Sequence, residues 1–158
     1  MSVTIAGSGQ IVKQVVTGTL TTSTTTTSTS YVDTGLTATI TPTSSTSKIL
    51  VVLGAANYIQ NSSFNNYTAL GLNRNGTLVQ ETTQMVDMTA GSGGTQGVSY
   101  QTQIALGYLD SPSTTSAVTY KVQFKLESTS YSATTTFNKT FNAVTNTSTI
   151  TLLEISGS

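Results

Sequence analysis

From residue 117 to residue 127 the chain alternates without a break: Val118, Tyr120, Val122, Phe124 and Leu126 occupy every second position, with Thr119, Lys121, Gln123, Lys125 and Glu127 between them. Successive side chains of an extended strand point to opposite faces, so a period of two puts all five apolar residues on one side. A helix would scatter the same residues around its axis. The segment is therefore a half-buried strand, and the same period returns in Leu36, Ala38 and Ile40 against Thr37, Thr39 and Thr41, and again in Ile104, Leu106 and Tyr108. Residues 49–53 form a continuous apolar run, which predicts a strand buried on both faces. Residues 147–155 read as a final strand.

Composition supports sheet throughout. Thr and Ser supply 35 and 21 of the 158 residues, and the β-branched Thr side chain favours strands over helices. Hydroxyl-rich chains are sometimes disordered stalks, but those are rich in Pro, and this chain has two prolines and clear alternation. Most of the threonines are expected on outward faces, where their hydroxyls meet water. Asn75-Gly76 between residues 70–74 and 77–81 predicts a tight hairpin, because both central positions of a type I′ turn need positive φ. Pro42 with residues 43–47, and residues 110–116 around Pro112, read as connecting loops, and the glycine-rich residues 89–97 as the longest one. Residues 21–30, nearly pure hydroxyl, are read as an edge strand in preference to a linker. Eight to ten short strands with no 3.6-residue periodicity point to an all-β fold, an antiparallel β-sandwich, of which the jelly roll is the commonest form at this size. The sandwich is placed at residues 10–158, after a flexible N-terminal segment of residues 1–9.

Several functions are disfavoured by the residues present. Six basic and six acidic residues give zero net charge, and charged residues are 8% of the chain, so no basic stripe is available for nucleic acid. No stretch approaches the length of a membrane-spanning helix, and residues 1–10 lack the features of a secretory signal, which leads to the expectation of synthesis in the cytoplasm. With no His or Cys, serine and threonine hydroxyls have no usual activating base, and a metal site would have only scattered carboxylates. Ser45-Thr46-Ser47-Lys48 runs from a loop into a strand and does not resemble a Ser-Lys catalytic pair. Glu81 and Asp87 are the nearest acidic pair in sequence, and surface placement explains them; Asp33 and Asp110 are the weak candidates for a calcium ligand. Asp110 is expected to start the turn before Ser111-Pro112 by accepting a backbone N–H. Gly91, Gly93, Gly94 and Gly97 have no following Lys-Ser/Thr and are not a phosphate loop. Sequons at Asn61, Asn66, Asn75, Asn138 and Asn146 follow from composition alone. The chain reads as non-enzymatic and needing no cofactor.

Residues 10–16 (Gln-Ile-Val-Lys-Gln-Val-Val), residues 29–36 (Thr-Ser-Tyr-Val-Asp-Thr-Gly-Leu) running through Ile40-Thr41-Pro42 to Ser47-Lys48-Ile49-Leu50-Val51, the stretch from Leu109-Asp110-Ser111-Pro112 to Thr119-Tyr120-Lys121-Val122-Gln123, and residues 148–155 (Ser-Thr-Ile-Thr-Leu-Leu-Glu-Ile) carry a resemblance. Together they resemble a group of tailed-phage structural proteins, frequent in cyanophages and marine phages, that occur as head-decoration proteins and as tips of fibres. The resemblance implies a jelly-roll β-sandwich, assembly as a homotrimer, and no catalysis. Such a module in a fibre usually follows a long shaft, so a chain with so short a leader is expected to be a capsid decoration or cement protein on the virion exterior, bound to the major capsid protein. The alternative is a tail-fibre tip that binds a receptor or carbohydrate.

Two groups of residues are candidates for contacts. Ile5, Ile11, Val12, Val15 and Val16 lie before the alternating strands, with a spacing that is neither a clean strand nor a helical stripe, and are expected to make capsid or subunit contacts. Tyr58, Tyr67, Tyr100, Tyr108 and Tyr131 offer large apolar area with a polar tip, suited to subunit packing or to stacking on a carbohydrate.

Overall fold

The computed structural model describes residues 2–4, 9, 11–61, 67–82, 98–127, 133–140 and 146–157. The strands are β1 (Ser2–Thr4), β2 (Val12–Leu20), β3 (Thr24–Thr26), β4 (Val32–Ile40), β5 (Lys48–Asn61), β6 (Thr68–Arg74), β7 (Thr77–Thr82), β8 (Val98–Asp110), β9 (Val118–Leu126), β10 (Ala133–Phe137) and β11 (Ser148–Ile155), of which β4, β8 and β9 contain the alternating segments. No helix occurs among the described residues, and every pairing is antiparallel.

Two sheets result. In the larger one β5 is central: β8 pairs along its whole length, from Ile49 opposite Asp110 to Asn61 opposite Val98. Its other edge is shared, with β11 on the first half and β10 on the second. β2 then pairs with β11, β3 with β10, and β1 with β2. Thus β2 with β3, and β10 with β11, each act as one strand interrupted midway. These interruptions, together with β1, raise the strand number to eleven against the eight to ten expected. The smaller sheet runs β4-β9-β6-β7.

The sheets face one another across an apolar core. Leu36, Ile40, Ile49, Leu53, Leu70, Leu72, Tyr120, Phe124, Phe137 and Ile150 are fully buried, each large aliphatic side chain contributing about 1.5–3 kcal/mol. Phe124 of β9 and Phe137 of β10 meet across the layers with ring centroids 6.0 Å apart. The Asn75-Gly76 hairpin forms as expected, with φ of 47° and 94°, and Asn75 adds an Oδ1 that accepts the Thr119 backbone N–H at 2.8 Å.

Five expectations change. Residues 49–53 are buried on one face: Ile49, Val51 and Leu53 enter the core, while Leu50 is half-buried and Val52 is 43% exposed on the other side. Residues 21–30 hold only the three-residue β3; beyond it Ser28 and Ser30 fold into a hydroxyl-bonded turn, with Thr26 Oγ1 accepting the Ser28 N–H and Ser28 Oγ accepting the Ser30 N–H. Thr34, Thr68 and Thr135 are interior rather than outward, and stay there because their hydroxyls find partners, Thr34 donating to the Val122 carbonyl and Thr68 to Thr135. Ser2–Thr4, inside the segment set apart before the sandwich, pairs with β2. Val12, Val15 and Val16, whose spacing indicated neither a clean strand nor a helical stripe, lie in β2, the strand between β11 and β1. The glycine-rich residues 89–97 lie outside the described residues.

Candidate contact surface

The outer face of the larger sheet is built by strand register. Val15 of β2 lies opposite Leu153 of β11, Leu153 opposite Leu50 of β5, and Leu50 opposite Leu109 of β8. Residues directly opposite in an antiparallel pair share a face, so these four form one apolar row across four strands, and β1 extends the register with Val3 opposite Val15. The next row is Thr17, Thr151, Val52 and Gly107, in which the Thr17 and Thr151 hydroxyls approach to 3.3 Å. The third is Thr19, Thr149, Gly54 and Ala105. Leu109 is 52% exposed.

Relief on this face follows from side-chain size. The leucines of the first row stand up as a ridge, whereas Gly54 and Ala105 leave a hollow of about 350 Å³ lined also by Ala56, Gln103, Thr147 and Thr149. None of the three rows carries a charged residue. On the larger sheet the exposed Lys48, two residues before Leu50 on β5, flanks the first row. Three ion pairs lie on or beside the smaller sheet, Lys121 with Asp33 at 3.0 Å and Lys125 with Glu81 at 3.3 Å and Glu127 at 3.5 Å. There Tyr31 donates to Glu81 at 2.6 Å and lies beneath the Lys125 ammonium. Burial and then the bond to Glu81 push the Tyr31 phenol up, and the same bond, ahead of the Lys125 contact, holds the Glu81 carboxyl below its ordinary range.

The predicted contact residues divide. Ile11 is 70% exposed, and its carbonyl accepts the Ser156 N–H at 2.7 Å, fixing it beside the end of β11. Val12 pairs with Ile155 at the same end. Val15 belongs to the apolar row. Val16 lies opposite Leu152 and packs against the core, so it points away from that face. Ile5 falls outside the described residues, as does Tyr131.

Among the tyrosines, Tyr58 is buried with the Lys139 ammonium 3.4 Å from its ring centre, Tyr67 is half-buried just before β6, and Tyr108 packs against the core. Tyr100 lies in β8 opposite Ile59. They do not form one cluster. Leu50, Val52, Leu109 and Leu153 were missed, although adjacent apolar pairs such as Leu152-Leu153 and Tyr108-Leu109 are the signal: neighbours in a strand face opposite ways, so both faces must be apolar.

The acidic candidates also find structural roles. Asp110 does not cap the turn after β8. It is 5% exposed, both its oxygens accept from Arg74 Nη1 at 2.8 and 2.9 Å, and Oδ2 also accepts the Tyr120 hydroxyl at 2.6 Å. Asp33 accepts from Lys121 and Gln123, and these bonds hold its carboxyl below the ordinary range. Asp87, the partner considered for Glu81, lies outside the described residues. Among the described residues no group of three or more acidic side chains could hold a metal ion.

No family model matches the chain, and no curated protein matches it. Among solved structures it is similar to a chain of the infectious bursal disease virus Gx strain (12% identity, TM-score 0.40, covering 92% of this chain and 39% of that one). It is similar also to the VP2 subviral particle of that virus (9% identity, TM-score 0.39, 99% and 43%) and to its Gt strain (9%, 0.36, 90% and 38%). The chain spans about two-fifths of the length of those solved chains.

Proposed function

We infer that the protein is a phage virion structural protein: a jelly-roll subunit, made in the host cytoplasm, that assembles as a homotrimer and binds the major capsid protein on the exterior of the assembled capsid. The two strand orders support the jelly roll. With the interrupted strands counted once, one sheet reads first, eighth, third, sixth and the other second, seventh, fourth, fifth, the order of an eight-stranded chain rolled as a double Greek key.

The observation that carries the contact role is the partition of charge. The larger sheet presents three successive uncharged rows to solvent, with Lys48 at their margin, while three of the four ion pairs among the described residues lie at the smaller sheet, and depletion of charge is what distinguishes the centre of a protein interface from ordinary surface. A protein that binds only the assembled shell stabilises it by mass action, with no chemistry required. A chain of zero net charge with 8% charged residues binds its partners with little dependence on ionic strength.

The test is to add purified protein to undecorated capsids and count copies bound. The expected result is hundreds of copies per particle, with occupancy nearly equal at low and high salt. Copies in the tens or fewer per virion, with binding of isolated protein to host cells, would assign the chain to a fibre tip instead.

A further inference from the structure

The geometry points to a second copy of this chain as the occupant of the larger sheet's outer face and of the edge of β8 that no strand pairs among the described residues. This rests on reading the chain as an assembling protein, but it concerns self-association alone and is tested without capsids.

The edge is the first observation. β8 pairs only with β5 among the described residues, through thirteen consecutive residue pairs with no shift of register. Its other side presents a row of backbone N–H and C=O groups. Proteins that keep such an edge in water blunt it with charges, proline, a bulge or a short strand. From Val98 to Leu109 the strand has none of these, and its first charged residue, Asp110, is turned inward and spent on Arg74. An edge so little protected is an edge that is covered.

Self-complementarity is the second. The face carries a ridge at the Leu50 row and a hollow at the Gly54 row, about 13 Å apart along β5 at the usual rise per residue. A second copy brings both halves, so the ridge of one protomer seats in the hollow of the next, with the exposed Lys48, two residues before Leu50, at the rim of the contact and not at its centre. A Cβ at Gly54 would meet Thr149 Oγ1 at 3.5 Å, an ordinary van der Waals contact, so nothing is packed tightly against the floor of the hollow there.

Area is the third. The four strands β2, β11, β5 and β8 at standard spacing, with eight residues along each, give a face of about 500 Å². That is below the roughly 800 Å² per partner of a stable interface, and adding the length of the β8 edge brings the total close to it. Face and edge together fit a stable contact between copies, and Leu109, exposed on the edge strand and in the apolar row, joins them.

The experiment uses the full chain. Wild-type protein is expected to sediment as an oligomer at micromolar concentration, and Val52→Lys and Leu109→Lys each to raise the dissociation constant at least tenfold with unchanged far-ultraviolet dichroism. Leu78→Lys, at an exposed apolar position on the smaller sheet, leaves assembly as it was. Because the chain has no cysteine, a double variant Gly54→Cys/Leu109→Cys reports the seating directly: within one protomer the two positions are about 14 Å apart, too far for a disulfide. Oxidation is expected to link copies more efficiently in the double variant than in either single one. A wild-type monomer at 100 µM overturns the proposal, as do lysine variants that assemble like wild type or a double variant that links no better than the singles. A monomer whose lysine variants lose capsid binding would assign this face to the capsid and overturn it too. Intact, face-dependent assembly with no capsid binding would sustain this inference and sink the virion role.

Discussion

Arg74 Nη1 reaches both carboxylate oxygens of Asp110, at 2.8 and 2.9 Å, and so ties the end of β6 in the smaller sheet to the end of β8 in the larger one. Tyr120, fully buried in β9, donates to the same carboxylate, and burial followed by that bond raises its phenol well above the ordinary range. The three residues close one end of the sandwich with a satisfied polar cluster.

Asp110→Ala leaves the Tyr120 hydroxyl buried without its acceptor and Arg74 without its counterion. The expected loss is about 3 kcal/mol, moderated because the Arg74 side chain still reaches water. Tyr120→Phe keeps the ion pair and is expected to cost about 1 kcal/mol. Urea unfolding of both variants checks the order, and equal losses would deny Asp110 its role as the hub.

Gly18 is where the two sheets come closest at one side: a Cβ there would overlap the Thr37 carbonyl of β4 and crowd Ile150. Gly18→Ala is expected to destabilise by about 1–3 kcal/mol through forced separation of the layers. Gly54→Ala, in the open hollow, should stay within about 0.5 kcal/mol of wild type. Comparing the two denaturation midpoints tests whether the cost comes from close approach or from glycine content as such.

Glu154 is a fully buried acid-sensitive group of the sandwich. Burial opposes its charge, but hydrogen bonds from Ser47, Thr43 and Gln14 together outweigh burial and hold the carboxyl below its ordinary range. Two of them, from the Thr43 N–H and hydroxyl, measure 2.7 Å. A folded pKa below the unfolded value of about 4.3 means that the stabilisation is complete above that pH and is lost as pH falls through the folded value. Denaturation midpoints should therefore be flat near neutrality and decline below about pH 4. Glu154→Gln, less stable at pH 7, should show a shallower decline. A slope as steep as wild type would move the acid response to Asp33 or Glu81.

Asn138 joins the two interrupted strands. At φ 58° its amide donates to the carbonyls of Leu20, Thr22 and Asn146, and its Oδ1 accepts from Ser148. Asn138→Ala strands these buried groups at an expected cost of about 3 kcal/mol, which in a chain of this size lowers Tm by about 6–12 °C. Asn138→Gly relieves the backbone but not the lost amide, so it should fall nearly as far. A glycine variant as stable as wild type would make the backbone, and not the side chain, the reason for asparagine here.

Much of the fold was legible because its code is local. The alternation of residues 118–126, the Thr faces of β4 and the Asn75-Gly76 turn each state their own geometry within a few residues. Less legible were the contacts that need distant partners: Asp110 read as a turn residue because Arg74 and Tyr120 become its neighbours only after three strands have folded. The short β3 and the end of β10 at Phe137 escaped for the same reason, since hydroxyl-rich strand and hydroxyl-rich turn look alike until a paired strand selects one.

The sequence by itself determined that this chain forms antiparallel strands, where most of them turn, and that it does so with no histidine and few charged residues. Residues 49–53 mark where that knowledge stopped. A period of two assigns alternate residues to two faces, and an unbroken apolar run says that both faces avoid water, but it does not say what covers each. Only the tertiary structure decided that Ile49, Val51 and Leu53 meet the opposite sheet, while Leu50 and Val52 stand on an open face with Leu109 and Leu153, because that depends on which strands the rest of the chain lays beside and above β5.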